Sequence, residues 1–385
     1  MRIAAVICEF NPFHNGHKYL LDEIRKQGYE CIICVMSGSF TQRGEVAITD
    51  KFERTRVALK NGADLIIELP TAYAVASAQI FAKGGASIIK ATGVVDKVFF
   101  GSESGDIELI RKAAYATNNN KVIDLLKDNM AKGDYYPQAL EKAVKEVFCN
   151  NISDILASPN NILGVEYIKE LEGSNIETGT IKRIAVEHDG NTVCDNFASA
   201  SLIREMIFKG EDTSGFVPQG NFSNPAKTQF GERAVMYKLK SMSPEDFEKL
   251  PDVTEGLENR IYSAVRKCSS LEELLSEIKT KRYTMARLRR IITSAILGIT
   301  KDLQSSPLPY LRILGMTEKG KEALSLISKN TDLPVITSVA SALKNLDEKA
   351  REMLICDIKA TDIRTIFEKE ISDSGADFST AMIKV

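Results

Sequence analysis

The sequence predicts an α/β fold: a doubly wound parallel sheet from the first part of the chain, followed by a mainly α-helical C-terminal part. Apolar runs "IAAVIC" (3–8), "CIICVM" (31–36), "LIIEL" (65–69) and "KVFF" (97–100) recur at roughly the thirty-residue length of a strand–helix–strand unit. The runs are continuous rather than alternating, which suits parallel strands covered by helices on both faces. Three of the segments that follow them, "EFNPFHNGH", "SGSFTQRGE" and "GSESGD", carry polar loop chemistry. That chemistry therefore collects at the carboxyl edge of the sheet, where such folds bind ligands.

Each element has a local reason. The first run has one positive charge, no small-residue cleavage site and a charged end at Glu9, so it reads as a strand and not a signal peptide. After it, Leu20, Leu21 and Ile24 share one face of a helix closed by Gly28. Cys31 and Cys34 have CxxC spacing, but residues three apart on a strand point to opposite faces, so they read as buried thiols. "DKFERTRVALKNGAD" is a helix capped by Thr49 or Asp50 and closed near Gly62. A third helix covers about 74–91. "SPNNILG" (158–164) and "SASLIRE" (199–205) open further helices, and "IKRIAVEHD" places Arg183 on a short strand, with His188 read as structural. A Gly/Ser/Pro/Asn-rich stretch over 211–230 reads as a linker, dividing the chain into residues 1–215 and 216–385. Beyond it, "SPEDFEKL" starts with a capping box at Ser243, "SSLEELLSEI" is a second helix, and the tail "DIKATDIRTIFEKE" either adds a short α/β element or packs back on the core.

Composition bounds the function. The 385 residues are 44% apolar and 26% charged, ordinary for a soluble globular protein. A formal net charge of −2 means that a nucleic-acid partner must be held by a local patch. No apolar run approaches the roughly 18 residues of a membrane span, so no membrane partner is expected. Seven cysteines, an odd count without a secretory signal, point to reduced thiols and the cytoplasm.

Two of the three histidines, His14 and His17, flank Gly16 in "CEFNPFHNGHKYL" (8–20). Asn11-Pro12 favours a turn. His17 falls in the first turn of the next helix, where unpaired N–H groups and the helix dipole favour an anion. Two imidazoles there can donate hydrogen bonds to phosphate oxygens. The bland alternative is a turn merely capped by histidines.

"FNPFHNGH" resembles the HxGH signature of the nucleotidyltransferase superfamily that includes the class I aminoacyl-tRNA synthetases. "SASLIRE" resembles its second signature, a Ser/Thr-rich turn ending in Ile-Arg, with Ser199, Ser201 and Arg204 at the matching positions. "SGSFTQRGE", "GADLIIELP", "SPNNILGVEYIK" and "KRYTMARLRR" complete a resemblance to the bacterial tRNA(Met) cytidine acetate ligases that runs from residue 1 to about 330. The resemblance implies a Rossmann-like nucleotidyltransferase domain that uses ATP to activate acetate as acetyl-adenylate. The acetyl group would then pass to the wobble cytidine of elongator tRNA(Met), giving N4-acetylcytidine.

The same resemblance implies the site. His14, His17 and Arg204 would be catalytic. ATP would lie along Ile7, Cys8, Glu9, Phe10, Asn11, Pro12, Phe13, His14, Asn15, Gly16, His17, Lys18, Tyr19 and Leu20, with Gly101, Asn160, Asn161, Arg183, Ser199 and Ser201 around it. Mg²⁺ would come with ATP, held mainly by phosphates and water, without a dedicated metal cage. Ser37, Ser39, Gln42 and Arg43 would lie near acetate, because their loop follows the neighbouring strand.

A tRNA surface has its own signal. In "KTKRYTMARLRRIITSAI" (279–296), about 100° per residue puts Met285, Leu288, Ile291, Ile292 and Ile296 on one face. Lys279, Arg282, Arg287, Arg289 and Arg290 take the opposite arc, and no acid lies between 278 and 301. A pure basic face suits phosphate contact, and a solvated face is its plain alternative. Two other functions stay open on the residues alone: a small-molecule nucleotidyltransferase, and a non-catalytic RNA-binding protein on a nucleotide fold. The oligomeric state has no signature here.

Overall fold

The computed structural model describes residues 1–148, 150–184, 196–218, 220–254 and 256–385. Five strands form the doubly wound part: β1 (Ile3–Cys8), β2 (Cys31–Ser37), β3 (Leu65–Leu69), β4 (Lys97–Ser102) and β5 (Glu177–Lys182). They run parallel in the order β5-β4-β1-β2-β3, so the chain winds outward from β1 in both directions. The first four begin where the apolar runs begin. Continuous hydrophobicity is explained by burial on both faces: Cys31, Ile33 and Val35 enter one core, and Ile32, Cys34 and Met36 the other. The CxxC thiols thus lie on opposite sides of the sheet. His188, Cys149 and Cys194 lie outside the described residues.

The helices start and stop as their ends dictate. The Asp50 carboxylate accepts from the Phe52 and Glu53 N–H groups and starts the helix Lys51–Lys60, which Gly62 follows in the left-handed region. The third helical segment is split into Thr71–Ala74 and Ala78–Thr92, the latter capped by Ser77. Five helices between 107 and 171 make the crossover from β4 to β5.

The expected boundary at 215/216 does not divide the sheet. After a helical stretch, β6 (Leu311–Met316) returns antiparallel to β3, and β7 (Val335–Ile336) and β8 (Ile383–Lys384) each run parallel to β6. The reason is the edge of β3. Its five residues are all buried, and without β6 the N–H and C=O groups on the edge away from β2 would stand unpaired. The tail does both things expected of it. β8 joins the sheet, and the helix Glu348–Arg364 packs on Thr71–Ala74, where Asp357 accepts from the Thr71 N–H at 2.7 Å. The linker is also stitched down: Ala226 N–H donates to the Ile48 carbonyl, and Lys227 N–H to that of Phe367.

Candidate active site at the carboxyl edge of the sheet

β1 ends at Cys8, and the chain turns through Phe10 at φ 48° and a cis Asn11–Pro12 peptide. A left-handed Phe costs about 1–3 kcal/mol and persists only when its surroundings over-determine it. Here the Phe10 ring is buried against Phe13 (4.8 Å) and His17 (4.9 Å), and Asn11 Oδ1 accepts from the Ile48 N–H at 2.8 Å.

His14 caps the helix Asn15–Lys26. Its Nδ1 accepts from the Gly16 N–H at 3.0 Å, and His17 Nδ1 accepts from the His14 N–H at 3.2 Å. The two rings stack with centroids 3.7 Å apart. An Nδ1 that accepts carries no proton, so each neutral ring holds its proton on Nε2. Among the described residues neither Nε2 has a hydrogen-bond partner. Burial, then the charges of Arg183 and Arg204, push His14 down to about 3. Burial, then His14 and Arg183, hold His17 well below the usual histidine range. The capping and phosphate readings therefore coincide: one side of each imidazole builds the turn, and the other is a fixed, neutral N–H donor. Gly16 is required, because a Cβ there would stand 2.9 Å from the His14 ring.

The rest of the stretch also makes contacts within the protein. Ile7 and Cys8 point into the two cores. Lys18 pairs with Asp22 at 2.9 Å, and Tyr19 meets Phe197 edge-on. Asn15 ties in the linker: its N–H donates to the Phe216 carbonyl, and its amide to the carbonyls of Asn196 and Gly215, all at 2.8–2.9 Å. Glu9 accepts from the Gln42 N–H at 2.6 Å. Burial raises its pKa, opposed by Arg204, Arg43 and Arg54.

Arg204 reaches the turn directly. Its Nη1 donates to the Asn11 carbonyl at 2.8 Å, and its Nη2 to Glu45 Oε2 at 3.2 Å and Ser201 Oγ at 3.5 Å. Ser199 caps the helix Ala200–Lys209 by accepting from the Leu202 N–H. Arg183 directly follows β5, and its stem lies across Gly101, 3.3 Å from where a Cβ would be. The space over Gly101, expected to admit the nucleotide, thus holds Arg183. Asn160 and Asn161 also bond within the protein. Asn160 donates to Glu103 at 2.6 Å, and buried Asn161 accepts from the N–H groups of Glu103 and Ser104, so the pair shapes the loop after β4.

Ser37 and Ser39 are buried at the end of β2. The Ser37 hydroxyl has no hydrogen-bond partner among the described residues, and Ser39 donates to Thr361 at 3.4 Å. Gln42 is held by Glu9 and by the Ala76 carbonyl, whereas Arg43 is exposed. Arg54, which the sequence reading passed over, ties the site from below. Its guanidinium donates to the carbonyls of Glu9, Ser37, Gly38 and Thr49, and burial lowers its pKa to about 10.

The basic arc is corrected. Thr284 caps a helix that begins at Met285, so Lys279 and Arg282 precede it. Arg290 is buried and pairs with Asp252 at 2.7 Å, and Arg287 donates to the Asp252 carbonyl and to Thr254. Arg289 pairs with Glu45 at 2.9 Å. The absence of local acids does not leave this arc unpaired, because acids distant in sequence come to it. The helix is also pressed on the Gly44 loop: Gly44 has φ 73°, a Cβ there would stand 2.7 Å from the Arg290 nitrogen, and Thr293 donates to its carbonyl.

Glu45 is the principal residue missed, although a lone acid in "SGSFTQRGE" was its signal. Around β1 the result is two neutral imidazole donors with Arg183 and Arg204 near them, an arrangement suited to polyphosphate. Among the described residues no cluster of three His, Cys, Asp or Glu side chains could hold a metal.

The HIGH Nucleotidyl Transferase family model matches residues 1–377. A Thermoanaerobacter protein named tRNA(Met) cytidine acetate ligase is 40% identical over the full length of both chains, and one from Acetivibrio thermocellus with the same name is 37% identical over the full length of both. Two structures of Thermotoga maritima TmcAL superpose on the whole chain. The apo form does so at TM-score 0.93 and 32% identity, covering all of that chain. The form bound with alpha-thio ATP does so at 0.91 and 33%, covering 99% of it.

Proposed function

As a member of the HIGH nucleotidyltransferase family, and within it of the tRNA(Met) cytidine acetate ligases, this chain is an ATP-dependent ligase, and we propose that the His14–His17 turn is where it binds and activates ATP. The observation that carries the assignment of the site is the pair of Nδ1 acceptors, which fixes both Nε2–H groups as donors.

In the first step the acetate carboxylate attacks the α-phosphorus of ATP, and pyrophosphate leaves. No covalent enzyme intermediate is needed. His14 and His17 donate to phosphate oxygens without a change of ring protonation, and the donors stabilise the transferring phosphate more than the ground state. Arg204 and Arg183 balance the leaving pyrophosphate. Mg²⁺ bound with ATP would be held mainly by phosphates and water and would neutralise phosphate charge. Ser37, Ser39, Gln42 and Arg43 lie on the acetate side of the site, and of these Arg43 is the exposed one. In the second step the exocyclic amine of the cytidine attacks the acetyl carbonyl. The C–N bond forms, the acyl–phosphate bond breaks, AMP leaves, and the amine proton goes to solvent.

The part of the chain over residues 216–385 carries the tRNA, and the reaction takes place in the cytoplasm. No helix among the described residues is long and apolar enough to cross a membrane. The test is to combine the protein, ATP, ¹⁴C-acetate and a tRNA(Met) transcript and to digest the RNA to nucleosides. Label in N4-acetylcytidine is expected. Label in any other nucleoside, or none, would contradict the reading.

A further inference from the structure

We propose that an exposed aromatic and basic stripe beside the site is a stacking platform for unpaired RNA bases; this rests on the tRNA-acetylating reading above. The stripe starts on the helix Ala200–Lys209, where Phe208 stands one turn beyond Arg204 on the same face. Lys227 Nζ sits 5.0 Å over the Phe208 ring, and the Phe230 ring meets it edge-on at 6.3 Å. Phe230 lies in the short turn Thr228–Gly231, which runs into the helix Glu232–Lys240. Arg233 and Tyr237, four apart, share one exposed face of that helix, with exposed Lys238 beside them and Phe230 in the turn that leads into it.

That helix has already buried an apolar face, through Val235, Met236 and Leu239. Tyr237 on its outer face is 77% exposed and Phe230 in the turn before it is 47% exposed, so neither ring is spent on that buried face. The charges around them favour an anion. Arg233 and Lys238 form no ion pair among the described residues, although Lys238 acts at range on Asp246. Glu232 turns aside to accept from the Leu271 N–H at 2.7 Å, and Glu205 is held by Lys209.

Alternating rings and cations suit RNA, whose bases stack and whose phosphates pair. A protein partner would favour a patch depleted of charge at its centre. The location fits as well. The backbone hydrogen bonds of Ala226 to Ile48 and of Lys227 to Phe367 fix the stripe at Lys227 to the sheet half of the molecule. A base that reacts at its exocyclic amine must leave the stack, and its neighbours then need another surface to stack on.

The test uses the full chain and an unmodified tRNA(Met) transcript, with affinity measured at several salt concentrations. Phe230→Ala and Tyr237→Ala should each lose roughly 5- to 100-fold in affinity. Their salt slope should match wild type, because no charge is removed. Phe230→Trp and Tyr237→Phe should restore binding, and Arg233→Gln should lower the slope by about one. Pyrophosphate release without RNA checks that each variant is folded. If both alanine variants bind and acetylate the transcript like wild type, the platform is overturned and the ligase reading stands. A changed oligomeric state with normal RNA binding overturns it too, in favour of a protein contact. If wild type neither binds nor acetylates the transcript, the ligase reading fails and the platform with it.

Discussion

Glu45 lies 3.2 Å from Arg204, and its second carboxylate oxygen lies 2.9 Å from Arg289. One side chain of the β2 loop therefore holds the arginine that touches the histidine turn and an arginine of the helix Met285–Leu297. All three are partly exposed, so each pair contributes at most about 1 kcal/mol to stability. The importance of the relationship is positional.

Glu45→Gln should therefore separate activity from stability. With Arg204 less constrained, kcat/KM for ATP in pyrophosphate release should fall about tenfold, since small misplacements of a phosphate-binding group are costly. The melting temperature should stay within a few degrees. Arg289→Gln should have a smaller effect, because Arg204 keeps its carboxylate. Unchanged kcat/KM in Glu45→Gln would make the pair a surface contact only.

Loss of one histidine donor should cost far more. His17→Ala should lower the rate of adenylate formation about 10²–10³-fold at saturating ATP while the fold survives. His14→Ala should match it in rate, and each variant should lose about 1 kcal/mol of stability, because each ring accepts from one N–H of the helix start. Urea midpoints equal to wild type in both variants would show that the cap is dispensable.

The same rings make a prediction for pH. Both histidines titrate below their ordinary range in the folded protein, His14 at about 3. Between that value and the ordinary histidine pKa near 6.5, the unfolded chain binds protons that the folded chain refuses. Stability is therefore fully present above pH about 6.5 and falls as the pH drops below it. The urea midpoint should decrease from pH 7.5 to pH 5, and His14→Asn, which can still cap, should flatten that decrease. A midpoint that rises on acidification would reverse the assignment of neutral rings.

The helix Met285–Leu297 calls for caution with charge reversal. Arg290→Gln removes one partner of a largely buried pair and should destabilise by about 2 kcal/mol, read from the urea midpoint. Reversing Arg287, Arg289 and Arg290 together to Glu should lower adenylate formation as well as tRNA binding, because new carboxylates then face Asp252 and Glu45, although Glu45 keeps Arg204. A triple variant that keeps normal RNA-free activity would show the helix to be independent of the ATP site.

Where the sequence was legible, the cause was local. β1 to β4 are apolar runs with polar ends, and the HNGH turn combines a glycine, a cap and a helix start within a few residues. What it hid depended on partners distant along the chain. β6 is another short apolar run, and nothing in it announces that it pairs with β3, some 245 residues earlier. Periodicity put Arg290 on a basic arc correctly as a matter of angle. It could not show that Asp252 and the Gly44 loop cover that arc. Asn160 and Asn161 were likewise found at a helix start, but Glu103, which occupies them, is 57 and 58 residues away.

The central claim is that this turn activates a carboxylate with ATP. The direct measurement incubates wild type and His17→Ala with ATP and ¹⁴C-acetate, without RNA, and follows pyrophosphate and acetyl-adenylate. Wild type should release pyrophosphate only when acetate is present, with one acetyl-adenylate formed for each, and His17→Ala should form almost none. Pyrophosphate release independent of acetate, or adenylate formed equally well by His17→Ala, would contradict it.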